Sequence, residues 1–389
     1  MITTINNKHK KLNVPNLRFP EFQGEWEKCR LGDVCTFLSG GTPKIDVKEF
    51  WNGTIPFVSA ISMHDTYILD SKLHISEEGL KHGSRLLTKN NLLLLVRGSM
   101  LWNTIPICLN KNDVAFNQDV KGIIANDTIN NEFLLYWLKS KEQRLKYMVT
   151  GTGLGAGKLD TSDLLSMIVY IPAMKEQDKV ARLLSLFDER IATQSKIIED
   201  LKKLKSAISK KLLCNDKWTT YKIQDIAEIG RGRVISSVEI DRQKHPLYPV
   251  YSSQTSNDGI MGYLDEYMFD GEYITWTTDG ANAGTVFYRK GMFNCTNVCG
   301  TLKILPKFDC YFVSLVLQQA TQKYVSSNLA NPKLMNNTMA SIKIKMPDIK
   351  TQKQLSKIFQ TLDSCLLVHQ RTCCMYSREK QYLLCQMFI

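Results

Sequence analysis

The chain has 389 residues, 43% hydrophobic and 23% charged, a globular share with length enough for two or three domains whose cores need no disulfide or metal staple. Lys and Arg number 50 against 38 Asp and Glu, a net charge of +12. That balance excludes a disordered acidic chain and favours a polyanionic partner, nucleic acid before anionic membrane.

The chain opens on a polar, basic stretch (Asn6, Asn7, Lys8, Lys10, Lys11) with no apolar signal core. Its longest clean aliphatic run, residues 92–96, is far short of the ~20 residues a membrane span needs. A cytoplasmic protein making no membrane contact is expected. The first body, 1–175, reads as mixed structure rich in strands. Residues 55–60, 92–96 and 120–124 are short apolar, β-branched or aromatic runs bounded by Gly, Asn, Asp or Pro. A Ser39-Gly40-Gly41-Thr42-Pro43 loop precedes them, and 131–148 carries a helical pattern. The stretch from Gly151 to Lys158 looks like a phosphate loop. A Walker A loop needs Gly, four residues, then Gly-Lys-Ser/Thr. Five residues before Gly157 stands Thr152, and Leu159 replaces the magnesium-binding hydroxyl. An ordinary flexible loop explains the segment better.

The first tail, 176–213, is an amphipathic pattern unbroken by Gly or Pro. A 4-3 repeat picks out Val180, Leu184, Phe187, Ile191, Gln194, Ile198, Leu201, Lys205, Ile208 and Leu212, a coiled-coil seam rather than a broad buried face. The second body, 214–350, again places short strands (273–278, 284–288, 300–305) among loops such as Thr278-Asp279-Gly280, with a helical patch at 312–324. The second tail, 351–389, repeats the seam 175 residues on, at Leu355, Phe359, Leu362, Leu366, His369, Cys373, Tyr376, Lys380, Leu383 and Met387. The polar exceptions fall at the same steps, Gln194/His369 and Lys205/Lys380. Thr351-x-x-Gln354 offers a capping box at its start.

The bodies repeat too. Trp26-x4-Leu31-Gly32-Asp33-Val34 recurs 192 residues later as Trp218-x4-Ile223-Gln224-Asp225-Ile226, and Ile171-Pro172-x4-Gln177 recurs 175 later as Met346-Pro347-x4-Gln352. The second copy has therefore lost 17 residues between its markers. Two matched seams in one chain predict that the helices, about 38 residues and ~57 Å each, pair as an intramolecular antiparallel coiled coil. The expected fold is α+β, two mixed α/β bodies joined by two long helices in a pseudo-twofold internal repeat. Helices packed on their own bodies, or on a homodimer partner, are the competing arrangement.

Catalytic signatures fail in turn. There is no Asp/Asn-Pro-Pro-aromatic run of an amino-methyltransferase, no glycine-rich S-adenosylmethionine loop after a clear strand, and no HExxH. The six histidines are scattered, and the eleven cysteines show no C-x-x-C, only Cys295-x3-Cys299 and the adjacent Cys373 and Cys374. Reduced, packed thiols are expected, with no metal site and no catalytic residue. Polar, basic and aromatic loop residues suit DNA reading, since Lys and Arg neutralise phosphate while Arg, Asn, Gln, Ser and Thr read base edges. The first half offers Lys44, Lys48, Trp51, Asn52, Arg97, Ser99, Asn103, Asn117, Gln118 and Lys121. The second offers Arg231, Arg233, Tyr251, Ser252, Ser253, Gln254, Thr277, Thr278, Asp279, Asn282, Asn294 and Asn297. Any one of these, taken singly, fits an ordinary turn residue or solvated charge better than a base contact. The loops as groups carry the argument.

Trp26-Glu-x-x-x-Leu31-Gly32-Asp33, the Ser39–Pro43 loop, the run Trp51-Asn-Gly-Thr-Ile-Pro-Phe57 and Ile171-Pro172-x4-Gln177 resemble the specificity subunit of Type I restriction-modification enzymes. The second half keeps the Trp218 and Pro347 motifs but has Gly230-Arg231-Gly232-Arg233 near where the Ser-Gly-Gly-Thr-Pro loop would stand, so a different reading loop is expected there. The resemblance implies two target recognition domains, each reading half of a split, asymmetric double-stranded DNA target, and paired helices that fix the gap. It also implies partners: two modification subunits that carry S-adenosylmethionine and methylate adenine N6, and restriction subunits that use ATP and Mg to translocate and cleave DNA. This chain would supply the address and bind no cofactor. The competing readings are a stand-alone homodimeric DNA-binding regulator with a palindromic target, an NTPase using Lys158, and a coiled-coil scaffold that leaves the polar loops unexplained.

Overall fold

The computed structural model describes residues 3–4, 13–153, 155–213, 215–326 and 331–389, so the basic stretch at 6–11 lies outside the described residues. The chain divides into two units, residues 1–196 with 370–389, and residues 197–369.

In the first unit the strand Leu92–Leu95 reads leucine at every step and all four side chains are fully buried, as a strand covered on both faces requires. It lies third in a five-stranded sheet of order Cys35–Ser39, Val120–Ala125, Leu92–Leu95, Ile107–Asn110, Tyr67–Ile68. A four-stranded sheet holds Leu73–Ile75, Ile55–Val58, Val114–Phe116 and Leu86–Leu87. Helix α1 (Asn131–Ser140) is capped by Asn130, whose side chain accepts from the Phe133 amide at 3.0 Å. The expected helix over 131–148 breaks at Lys141 and resumes as Glu142–Tyr147.

The sequence markers meet one another. Strand Glu27–Arg30 pairs with Ile168–Ile171. The Trp26 ring lies edge-on to Phe133 at 5.8 Å, and its Nε1 donates to Glu176, which also takes two bonds from the buried Arg18 at 2.7 and 2.8 Å. Gln177 donates to Pro172 O at 2.9 Å and accepts from the Asn130 amide at 2.7 Å.

The second unit uses the same devices. Thr219–Lys222 pairs with Lys343–Met346, Trp218 meets Phe312 at 5.9 Å, and Gln352 donates to Pro347 O at 2.8 Å while accepting from the Asp309 amide at 3.0 Å. Its sheets are Ala227–Arg231, Cys299–Ile304, Glu272–Thr277, Val286–Lys290, and Ile260–Leu264, Tyr248–Tyr251, Asn294–Cys295. The strand registers locate the missing residues. Equivalent positions are 192 apart at Phe37 and Ile229, 193 at Phe57 and Val250, 182 at Leu92 and Ile274, and 179 at Ile123 and Leu302. Most of the loss falls between Val58 and Leu92, where the first body carries the helix Glu77–Gly83.

Two long helices, α2 (Met174–Leu212) and, after α3 (Cys310–Ala320), α4 (Ile349–Gln386), contribute to both units. Within the first unit the contacts Phe187–Tyr376 and Ser195–Cys373 rise along α2 as they fall along α4, so the pair is antiparallel there. At the 4-3 steps Leu184 and Phe359 are fully buried, and Phe187, Ile191, Ile198, Leu201, Ile208, Leu362, Leu366, Tyr376 and Leu383 are half-buried. Leu186, Leu204 and Leu367, off the seam, are exposed.

The polar steps have partners. Lys380 donates to Asp188 at 2.5 Å, and Asp188 accepts from Tyr136 at 2.8 Å. In the second unit Lys205 bonds Asp363, which accepts from Tyr311 at 2.5 Å. Burial first, then the adjacent carboxylate, pushes both tyrosine hydroxyls up, so they remain protonated donors. The capping expectation at Thr351 is corrected. Asp348 accepts from the Thr351 amide at 3.1 Å and hydroxyl at 2.7 Å, which makes Asp348 the cap and puts Thr351 inside the first turn. No described helix is long and apolar enough to cross a membrane.

Candidate nucleic-acid interface

One edge of the first unit gathers four segments: the turn after Cys35–Ser39, the residues after Leu92–Leu95, the turn at 117–120, and Gly157–Lys158. Backbone bonds tie them, Val96 N to Asp119 O and Leu159 N to Val96 O at 2.8 Å each, with Arg97 in register with Lys158. Gly40 admits this approach because a Cβ there would lie 2.2 Å from Phe116 O. Lys121 donates to Ser39 Oγ at 2.6 Å, and Thr42 to Gln118 Oε1 at 2.7 Å. Lys158 sits 3.2 Å from Asp160. The exposed Arg97 guanidinium has no partner among the described residues. Asn117 sends Nδ2 to Asp119 at 3.4 Å, and its Oδ1 is buried without a partner among them. A free cation near a free acceptor is a surface with bonds still to make.

Around this edge, Ser99 and Asn103 are exposed at the turn Ser99–Trp102, which Trp102 ties to the glycine loop by donating to Gly155 O at 3.0 Å. That loop is a hairpin, Thr150–Gly151 pairing with Gly157–Lys158, with Gly153 and Gly155 at φ +74° and +77°. Lys158 therefore lies in a strand, not at the helix N-terminus a Walker loop requires. Trp51 donates to Lys44 O at 3.0 Å and stands edge-on to Phe57 at 5.2 Å. It folds the loop that exposes Lys44, Lys48 and Asn52.

The second unit rebuilds the edge with other side chains. Thr278 N donates to Val298 O and Leu334 N to Thr278 O, both at 2.9 Å, and Asp279 bridges Lys333. Gly232 stands where Gly40 stood, a Cβ there falling 2.0 Å from Cys295 O, so the Arg-bearing loop keeps the same close approach with Arg231 in place of Ser39. Thr277 and Thr278, 1% and 0% exposed, correct the expectation that they meet bases. Thr278 Oγ1 accepts from Arg231 at 3.0 Å and lies 2.8 Å from Asp279 Oδ2, so it sets those two charges in place. Thr277 is in register with Cys299 inside the sheet. Asn294 is likewise turned inward, donating to Glu266 O at 2.7 Å. Asp279 lies 3.8 Å from Arg231 and 3.6 Å from Lys333. Arg233 is held by Glu239 through both terminal nitrogens, and Asn297 is exposed.

Ser252, Ser253 and Gln254 are half-buried on a loop whose return passes through left-handed Asn257 and Asp258, φ +50° and +54°. Arg289, buried beneath, stacks on Tyr251 at 3.6 Å and binds Asp258 through its carboxylate at 2.7 Å and its carbonyl at 2.8 Å. Asn282 reaches Ser253 O at 3.5 Å. Sequence reasoning missed Arg289, because a strand arginine with a partner 31 residues away leaves no local pattern. It also missed Lys158 and Lys333 as a pair, although their 175-residue spacing was there to find. No group of His, Cys, Asp or Glu placed to hold a metal occurs among the described residues.

Two edges of one design, each carrying cations and amides on a duplicated body, define a protein built to meet a polyanion twice. Residues 23–203 and 215–372 match the type I restriction modification DNA specificity domain. The chain belongs to that family and is a DNA specificity subunit of a type I restriction-modification system. It is 39% identical over 193 residues to a protein described as a type I specificity subunit in Mycoplasma pneumoniae, covering 49% of this chain and 80% of that one. To the specificity subunit of the Escherichia coli type I restriction enzyme EcoR124I/EcoR124II it is 31% identical over 174 residues, 44% of this chain and 43% of that one. Its fold is similar to that of the type I restriction-modification S subunit from M. genitalium, with a TM-score of 0.72 over 97% of this chain and 99% of that one at 19% identity.

Proposed function

We propose that this chain reads a bipartite, asymmetric duplex target, one half-site per unit, and so directs partner subunits that methylate adenine N6 and restrict unmodified DNA. The observation that carries the reading is the duplicated edge, the same backbone frame lined by different side chains at equivalent positions. Two copies of one frame with unlike linings suit two unlike half-sites. The loop cations Lys44, Lys48, Arg97, Lys121 and Arg231 would neutralise phosphates or reach guanine, and Asn52, Ser99, Asn103, Asn117, Gln118, Ser252, Ser253, Gln254, Asn282 and Asn297 would meet base edges or sugar-phosphate oxygens. The chain itself performs no covalent chemistry in this reading. S-adenosylmethionine belongs to two modification subunits, ATP and Mg to restriction subunits, and the assembly works on cytoplasmic DNA. Mapping N6-methyladenine across a host carrying the matching modification subunit, with and without this chain, tests it. A split asymmetric motif that disappears with the chain is expected. An unchanged map with both proteins present and associated overturns it.

A further inference from the structure

We propose that Arg97 and Asp279 are equivalent specificity-determining residues of opposite charge, Arg97 reading a guanine in one half-site and Asp279 a base offering its exocyclic amino group, adenine or cytosine, in the other. The inference rests on the DNA-reading function proposed above and deepens it.

The equivalence is one of backbone, not of sequence. Leu92 and Ile274, 182 apart, face the matched partners Ile123 and Leu302. The same interval carries Val96 to Thr278 and Arg97 to Asp279. Val96 and Thr278 make the same two bonds, to Asp119 O and from Leu159 N in one unit, to Val298 O and from Leu334 N in the other. Arg97 then pairs with Lys158, and Asp279 with Lys333. The two side chains thus leave the same point of the same frame.

Their chemistry is complementary. Arg97 offers only donors, and its guanidinium has no partner among the described residues, so its fork is free for guanine O6 and N7. Asp279 offers only acceptors. One oxygen lies 2.8 Å from Thr278 Oγ1, while Arg231 at 3.8 Å and Lys333 at 3.6 Å are beyond hydrogen-bond length. Lone pairs remain for an amino group on adenine N6 or cytosine N4, and guanine's major-groove acceptors would repel the carboxylate. The two flanking cations offset the repulsion between that carboxylate and the phosphate backbone. Without them an acid at this point would oppose DNA altogether. Beside each position a further polar atom is buried without a partner among the described residues, Asn117 Oδ1 in one unit and Thr296 Oγ1 in the other. These two stand 179 residues apart, on the matched turns.

The test uses the full chain with its modification subunit and the duplex target found by methylation mapping. Affinity is measured for that target and for each single base-pair replacement. The wild-type complex is expected to lose roughly 5- to 150-fold at a given contacted pair. Arg97→Ala should become indifferent at one G·C pair of one half-site and keep every other ratio. Asp279→Ala should become indifferent at one pair of the other half-site, and the wild-type base there tells adenine from cytosine. Asp279→Asn, of equal size, repeats the measurement if the alanine variant does not fold. Unchanged ratios at every pair, equal weakening on all targets, or a relaxed base lacking the named group would each overturn the proposal. A wild-type complex that discriminates no sequence would instead sink the function on which it rests.

Discussion

A methyl group on Gly40 would lie 2.2 Å from Phe116 O, and one on Gly232 2.0 Å from Cys295 O. The obstacle in both places is backbone, which cannot rotate away as a side-chain end does. Gly40→Ala or Gly232→Ala should therefore cost about 1–3 kcal/mol of stability, read by urea denaturation, and a midpoint equal to wild type would contradict it. Lys139 supplies a pH-dependent case. Burial, followed by the nearby Lys380 charge, lowers its ammonium to about 8 from 10.5, although it donates to Thr66 at 2.7 Å. Between pH 10.5 and 8 the unfolded lysine binds a proton that the folded one does not, so this group's penalty grows as pH falls and is complete below about 8. At the matching point of α3, counted from caps Asn130 and Asp309, stands the neutral Gln318. Lys139→Gln should melt above wild type at pH 7, with the difference shrinking toward pH 10. A difference constant across that range would rule the account out.

The helices show where an element can be read from sequence and where it cannot. Their seam was legible because a 3.5-residue period needs only one strand of text. Even the odd lysines at 205 and 380 announced themselves by repeating. Their partners did not. Tyr136 is sixth in α1 and Tyr311 second in α3, so the same hydroxyl reaches equivalent carboxylates from different turns, and nothing local foretells that. The strand over 272–277 was legible too, but its end was not. Thr275, Thr277 and Thr278 are all buried, so no alternation distinguished a base-facing threonine from a packed one. The Lys380–Asp188 pair itself is buried, with side chains 12% and 13% exposed. Lys380→Met alone should destabilise by about 3–5 kcal/mol, because it strands a carboxylate, whereas adding Asp188→Asn should recover most of the loss. A double-mutant cycle measures the coupling, and a value near zero would mean the pair is idle.

For the whole molecule, repetition predicts independence. Replacing residues 20–150 with the corresponding body of another specificity subunit should alter one half-site in the methylation map and leave the other intact. Alteration of both would show that the bodies do not read separately. The same repetition makes the first unit depend on residues far along the chain. Leu384, Met387 and Phe388 belong to its core, where Phe388 meets Phe133 at 5.2 Å. Deleting residues 380–389 should therefore speed hydrogen exchange in Leu92–Leu95 while sparing Glu272–Thr277. Equal protection loss in both strands would contradict that assignment.

This closure has a consequence for biosynthesis. A ribosome adding about 5–20 residues per second needs on the order of 10–35 s to make residues 197–369. Throughout that interval the body translated first waits with an unfilled gap against Phe133, while the unit translated later is already contiguous and free to finish. Maturation thus runs opposite to translation, and the nascent chain's aggregation-prone surface is at its amino-terminal half, the place where a holding chaperone would act.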